Sequence, residues 1–385
     1  MSAEVRMDFD LTETQQAVVE TSRAFARERV APGAAARDRE ARFPLELIRE
    51  LGQLGLLGVN VPEEMGGAAA GPVAYVLAMM EIAAVDCALA VTMGVTNMVN
   101  ETIARYGTLA QRERWCPRLA SGELAGGAFA LSEPQAGSDS AGMTTRAVRR
   151  GERWVLDGQK QWITSGDHAG VLVTWAKTDA AAGTKGISAF LVPAETPGIV
   201  IGRHEEKMGV RASSTVAVAF DGCELAHDAL LGAPGDGFRI AMSALDGGRT
   251  GIAAQATGTI RAALEASVAY AQERRAFGRA IAEFQAIRFA LADMKTAHDA
   301  ARLLTLRAAS LKEHGSPFTR EASMAKLFAS EAAQRAVSQA VQIHGGYGYI
   351  DEFPVERYFR DARVQTIYEG TSEIQRLVIA RELLR

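Results

Sequence analysis

The feature that most constrains this chain is a hydrophobic period that changes twice. From Leu11 to about Leu124 apolar residues recur every three or four positions, as in Val18, Val19, Phe25 and Ala26 and again in Leu47, Leu51 and Leu54, the spacing that gives a helix one buried face. Thr12 and Glu13 mark a helix start, and Pro32-Gly33, Pro62 and Met65-Gly66-Gly67 are expected to cut the segment into separate helices. Near Gly126 the period becomes two: WVLDGQKQWITSG, VLVTWAKT, GISAFLVP and STVAVAFDGCEL alternate, are rich in β-branched residues and carry turn pairs such as Asp157-Gly158. After Asp236 long helical stretches return at 252–274, 281–314 and 321–343. This order predicts an α+β, mostly helical chain with a helical domain over 1–125, a small β domain over 126–235 and a helical bundle over 236–385.

A chain of 385 residues suits two to three domains, and 48% hydrophobic against 23% charged residues allows cores large enough to offset chain entropy. The net charge of -4 lacks the basic excess that nucleic-acid binding requires, so no nucleic-acid partner is expected. The three cysteines, Cys87, Cys116 and Cys223, are too far apart for a C-x-x-C pair and suit a reducing compartment. Glu4, Asp8, Asp10 and Glu13 at the start fit neither a signal peptide nor a transit peptide, which leads to a cytoplasmic expectation. The most apolar stretch, VAYVLAMMEIAAVDCALAVTMGV, is broken by Glu81 and Asp86 and is read as buried helices, with no stable membrane insertion.

No dinucleotide-binding, P-loop, zincin or hydrolase-elbow signature occurs, and the six histidines form no ligand-spaced pair, so no metal is expected. Five other segments could carry chemistry. In ALSEPQAGSDSAGMTTRA a strand ends at Ser132 in a turn whose amides and hydroxyls suit a phosphate or a ring edge, or simply a hairpin connection. GQKQWITSGDHAG sets Trp162 and Thr164 on one strand face, able to wall a planar group or to fill a core. LDGGRTGIAAQA places Asp246 and Arg249 at an expected helix start, where the glycines admit a ligand or the pair caps the helix. YAQERRAFGRAIAEFQ follows a long helix with Arg274, Phe277, Gly278 and Gln285, a pyrophosphate-type site or a helix end. The last, VQIHGGYGYIDEFPVERYFRDARVQTIYEGTSEIQRLVIARELL, has Gly345, Gly346 and Gly348, then Glu369-Gly370 before a helix that Ser372 and Gln375 could open as a capping box. Glu369 could be a general base or a solvated acid.

Taken in this order, the five segments resemble the acyl-CoA dehydrogenase family over essentially the whole chain, and IYEGTSEIQRLVIA and MAKLFASEAA look most like its short-chain, butyryl-type branch. The resemblance implies an N-terminal helical domain, a middle β-barrel-like domain and a C-terminal four-helix bundle. It implies an FAD flavoprotein that oxidises an acyl-CoA thioester to the trans-2-enoyl-CoA, hands electrons to an electron-transfer flavoprotein and works as a homotetramer. Phe129, Leu131, Ser132, Gly137 and Ser138 match the flavin-lining strand and turn, with Ser138 also near the CoA arm. Trp162, Ile163 and Thr164 match the stretch beside flavin N5. Arg274, Phe277 and Gln285, with Gln342, Ile343, His344, Gly345 and Gly346, match positions that hold the FAD pyrophosphate and adenosine across a subunit interface. Thr371, Ser372 and Glu373 match a further FAD contact; Asp246, Arg249, Tyr368 and Gly370 match substrate positions; Glu369 matches the catalytic base. The pocket floor is expected around 91–100.

Overall fold

The structure is a computed structural model that describes residues 10–385; Glu4 and Asp8 of the acidic start lie outside the described residues. Helix α1 (Glu13–Phe25) opens with a reciprocal capping box between Thr12 and Gln15. Pro32-Gly33 does not separate two helices as expected. The chain passes from α1 through a π turn at Ala26–Val30 and a 3-10 turn at Ala31–Gly33 directly into α2 (Ala34–Glu40), and these altered turns absorb the hydrogen bond that proline cannot make.

Helices α3 (Leu45–Gln53), α4 (Gly71–Ala83), α5 (Cys87–Tyr106) and α6 (Leu109–Ala120) complete the first domain. The apolar stretch becomes α4 and α5, and the two acids that interrupt it tie the structure together. Glu81 receives Arg23 at 3.1 Å and Arg261 at 2.7 Å. Asp86 binds Arg37 at 2.8 Å and caps α5 by accepting from the Ala88 and Leu89 amides. Among the described residues no helix is long and apolar enough to cross a membrane.

The β domain is an eight-stranded sheet of β1 (Gly127–Ala130), β2 (Arg146–Arg150), β3 (Arg153–Thr164), β4 (Val171–Lys177), β5 (Ile187–Pro193), β6 (Ile199–His204), β7 (Thr215–Ala226) and β8 (Leu230–Leu231). The strand order is β6-β7-β3-β2-β4-β5-β8, with β1 parallel to β4. Its inner core holds Leu156, Leu172, Phe190, Val192, Val218 and Phe220. The opposite face of β4 and β5 packs Val173, Trp175 and Leu191 against Val99, Trp115 and Ile240 of the helices, so β4 is buried on both faces and reads as continuous apolar sequence. Asp157-Gly158 is not a turn: β3 runs through it with a register irregularity, and the tight turn between β2 and β3 is Gly151-Glu152. A Cβ on Gly158 would lie 2.6 Å from Thr145 Cα, so this glycine serves a close strand approach.

The last domain consists of α7 (Gly237–Glu273), a small hairpin of β9 (Arg275–Ala276) and β10 (Arg279–Ala280), then α8 (Gln285–Glu313), α9 (Thr319–His344), α10 (Val355–Ala362) and α11 (Ser372–Leu383). Alanines such as Ala253, Ala301, Ala325, Ala329 and Ala333 fill its core and let the long helices approach closely. Asp246 and Arg249 lie well inside α7, which starts nine residues before Asp246 at Gly237, and not at a helix start. Packing against α5 and α8, whose Met98 and Lys312 lie next to these glycines, carries the helix across the Gly247-Gly248 pair despite the poor propensity of glycine. The helix after Glu369 is opened by Thr371, whose Oγ1 accepts from the Ile374 amide, in place of the expected Ser372–Gln375 box.

Candidate active site

A cavity of about 690 Å³ lies where the β domain meets α4, α5 and α7. Its β wall comes from the end of β1 and the following turn, with Phe129, Leu131, Ser132, Gly137 and Ser138, and from the end of β3, with Trp162, Ile163 and Thr164. Trp162 is not the core aromatic that one reading of its strand allowed. It has a positive φ of 63° at the irregularity in β3, and the residue is 61% exposed. The helical wall holds Tyr75, Val91, Gly94, Met98 and Gly251, so the expected floor around 91–100 is joined by α4 and α7.

The cavity also receives Tyr368, Glu369, Gly370 and Thr371 from the loop before α11. Glu369 and Gly370 both take left-handed backbone conformations, with φ of 55° and 90°, a costly choice for a glutamate that aims its side chain inward. Glu369 Oε2 is buried and has no hydrogen-bond partner. Burial in this apolar setting pushes the carboxyl up to about 7, against the opposing pull of Arg249 and Lys326. Gln375 Nε2 donates to the carbonyls of Glu369 and Gly370 at 3.1 and 2.9 Å, and so holds the turn. Gly248 of α7 leaves room for the acid: a Cβ there would lie 2.5 Å from Glu369 Oε2.

Arg249 reaches the cavity wall with its Nε unpartnered, whereas Asp246 is turned away from it. Asp246 accepts from Arg249 Nη1 at 2.6 Å and Thr319 Oγ1 at 2.6 Å, which makes it a support for the arginine. Ser372 is buried at the start of α11 with its Oγ unpartnered, and Glu373 is exposed beside it. The remaining candidates gather elsewhere. Arg274, Ile343, His344, Gly345 and Gly346 line a second cavity of about 460 Å³, where Arg274 stands over Tyr347 and His344 stacks on Tyr270. Phe277, 95% exposed, sits on the hairpin after Arg274, while Gln285 and Gln342 are exposed at the start of α8 and near the end of α9.

The family models for the acyl-CoA dehydrogenase N-terminal, middle and C-terminal domains match residues 12–123, 128–223 and 235–384. The chain belongs to the acyl-CoA dehydrogenase family. It is 49% identical over 382 residues to the mitochondrial short-chain specific acyl-CoA dehydrogenase of Bos taurus, covering 99% of this chain and 92% of that one. The butyryl-CoA dehydrogenase structure from Megasphaera elsdenii superposes with a TM-score of 0.97 at 41% identity, covering 98% of this chain and all of that one. A glutaryl-CoA dehydrogenase from Mycobacterium smegmatis in complex with FADH2 gives a TM-score of 0.92 at 34% identity over 97% of this chain and 95% of that one. The enzyme is therefore an oxidoreductase of the acyl-CoA dehydrogenase kind, and its family implies FAD.

The central cavity fits such a group. A flat ring system needs an apolar wall with polar edges, and Ile163 and Leu131 stand there beside Ser132, Thr164 and the unpartnered Ser213 Oγ. Space beside Gly137 is open, with nothing within 4 Å of where a Cβ would sit.

Two buried cations of this site were not among the sequence candidates. Lys160, fully buried on β3, places Nζ 2.7 Å from Glu133 and 3.2 Å from the Leu131 carbonyl. Glu133 also accepts from the Thr144 and Thr145 amides. Burial alone would raise the Glu133 carboxyl, but Lys160 and these donors outweigh it and hold the group at about 2. The pair anchors the cavity-lining turn from behind. Lys326, fully buried on α9, donates to the Gly370 carbonyl at 2.7 Å. A signal for it was present: Lys326 interrupts the alanine stripe Ala322, Ala325, Ala329 and Ala333, and a charge on a buried helix face needs a partner. Among the described residues no group of three or more His, Cys, Asp or Glu could hold a metal ion.

Proposed function

We propose that the enzyme uses FAD to oxidise a short acyl-CoA to the trans-2-enoyl-CoA, with Glu369 as the base that removes the α-proton. The observation that carries this reading is the buried, unpartnered Glu369 Oε2 on a residue that lines the same cavity as the ends of β1 and β3. A thioester α-proton is weakly acidic, so its removal needs a base lifted toward neutrality and kept from water, which is what burial does to Glu369. FAD, when bound, supplies the hydride acceptor for the β-carbon. Leu131, Ser132, Trp162, Ile163 and Thr164 would hold its ring. Tyr75 and Met79, wedged against Gly94 and Gly251 of the helical wall, support a shallow pocket suited to a butyryl-sized chain.

The purified protein should be yellow, with about one FAD per chain, and anaerobic butyryl-CoA should bleach its long-wavelength band. Absence of bleaching across a panel of acyl-CoAs would reject the activity while leaving the family assignment intact.

The second set of residues supports a homotetramer in which Arg274, Phe277, Gln285, Gln342, Ile343, His344, Gly345 and Gly346 serve the FAD of a neighbouring subunit. They lie apart from the central cavity, and Phe277 would otherwise leave its ring in water. Arg274→Ala should then loosen FAD and the tetramer together, read by flavin retention and sedimentation. A variant that remains tetrameric and keeps its FAD would reject the cross-subunit role. An electron-transfer flavoprotein is the proposed electron acceptor. The cytoplasm is the proposed location, supported by three buried free thiols that suit a reducing compartment.

A further inference from the structure

Lys326 occupies an unusual position. Its side chain is fully buried, its ammonium donates to the Gly370 carbonyl, and the acid before that carbonyl is Glu369. The charged and titratable groups that act on it are Arg249 from α7, Glu369 from the loop, Glu373 from α11 and Glu331 from its own helix. Glu331 is bridged to Arg376 and Glu373 is exposed, which leaves Glu369 as the interior anion that can answer the ammonium.

Anchoring the turn does not require a charge. Gln375 already donates to the same Gly370 carbonyl at 2.9 Å with a neutral amide. Burying an ammonium costs far more than one bond to a carbonyl returns, unless a nearby anion compensates it. Burial does push Lys326 down to about 8, while Glu369 acts to keep it protonated.

We propose that Lys326 is a positioning residue for the base: its ammonium clamps the Gly370 carbonyl, holds the left-handed turn that aims Glu369, and brings a positive charge into the buried site that holds the carboxylate. This rests on the reading of Glu369 as the base. The charge favours the anion in a setting that otherwise favours the neutral acid, and so raises the fraction of enzyme ready to accept a proton near neutral pH. When Glu369 takes up the substrate proton, Lys326 loses its interior anion, so the pair also favours return of the carboxylate.

The test is an infrared titration of the Glu369 carboxyl in the FAD-loaded protein, its band assigned by loss in Glu369→Gln. The midpoint should rise by about one pH unit or more in Lys326→Met, which keeps length without charge, and in Lys326→Gln, which keeps a donor without charge. Lys326→Arg, which keeps the charge, should stay close to the wild-type midpoint. Anaerobic flavin reduction in the neutral variants should slow by about tenfold at neutral pH and recover as pH rises, its profile displaced by the same amount as the infrared midpoint. Lys326→Gln keeps the test available should the methionine variant fail to fold. An unmoved midpoint accompanied only by a lower melting temperature would reduce Lys326 to a structural clamp and overturn the proposal. A wild-type protein that no acyl-CoA bleaches would overturn the reading of Glu369 as base, even with the infrared shift intact.

Discussion

Glu369→Gln will retain FAD and acyl-CoA binding while slowing anaerobic flavin reduction by about 10³-fold or more, because the amide is nearly isosteric but cannot accept a proton. Stopped-flow bleaching measures the loss, and near-normal reduction would remove Glu369 from the mechanism. The same variant has a stability signature. With the Glu369 carboxyl raised from 4.5 to about 7, the folded state keeps a proton that the unfolded chain gives up. Stability therefore falls as pH rises through that window, and the full penalty of about 3 kcal/mol is present above it. Relative to wild type, Glu369→Gln should gain up to about that amount near pH 8 and little near pH 4 in denaturant titrations.

The neighbouring glycine extends the test. Gly248 faces Glu369 so closely that a side chain there would displace the acid, yet both positions address the same end of the cavity. Gly248→Glu in a Glu369→Gly background should restore part of the lost rate, limited by geometry. Because Gly248 lies within α7, the graft does not disturb a helix start, and replacing this glycine even favours the helix. Its failure alone would indict the geometry of the graft.

The second large effect lies behind the β wall of the cavity. Lys160→Met leaves Glu133 with its Thr144 and Thr145 donors but no compensating charge in a buried site, and should destabilise the fold by about 3–5 kcal/mol. The denaturant midpoint should fall with the slope unchanged. Adding Glu133→Gln should recover part of the loss, since a neutral pair carries no stranded ion. FAD retention should weaken in the single variant, because Lys160 also holds the Leu131 carbonyl. The pair further predicts acid tolerance of this turn. A carboxyl lowered from 4.5 to about 2 contributes stability above the higher value, and that contribution is lost as pH falls toward the lower. A Lys160→Met protein as stable as wild type would show that the ion pair is dispensable.

Much of this molecule is legible from neighbouring residues. Helix, strand and helix follow from the change in hydrophobic period, because burial of one face imposes a spacing on the sequence wherever the element lies. Thr12 and Gln15 cap α1 with groups three residues apart, a contact that needs no distant partner. The segments around Leu131, Trp162 and Glu369 could be singled out because their glycines, hydroxyls and charges are contiguous.

The tertiary structure decided what depends on neighbours distant in the chain. Asp157-Gly158 looks like a turn until Thr145 is seen pressing against it, and Gly247-Gly248 looks like a helix start until α5 and α8 are seen packed beside α7 there. Asp246 supports Arg249 because Thr319 lies against it. Lys160 is an ordinary lysine in sequence and Lys326 a lone charge on an alanine face, and each acquires its role from a carbonyl or carboxylate brought to it from another segment. Glu369 has the same intrinsic acidity as any other glutamate. Its distinct proton affinity arises only when α7, α9 and the cavity wall replace water around it, since the free energy of a charge is set by the surrounding medium and by charges nearby in space.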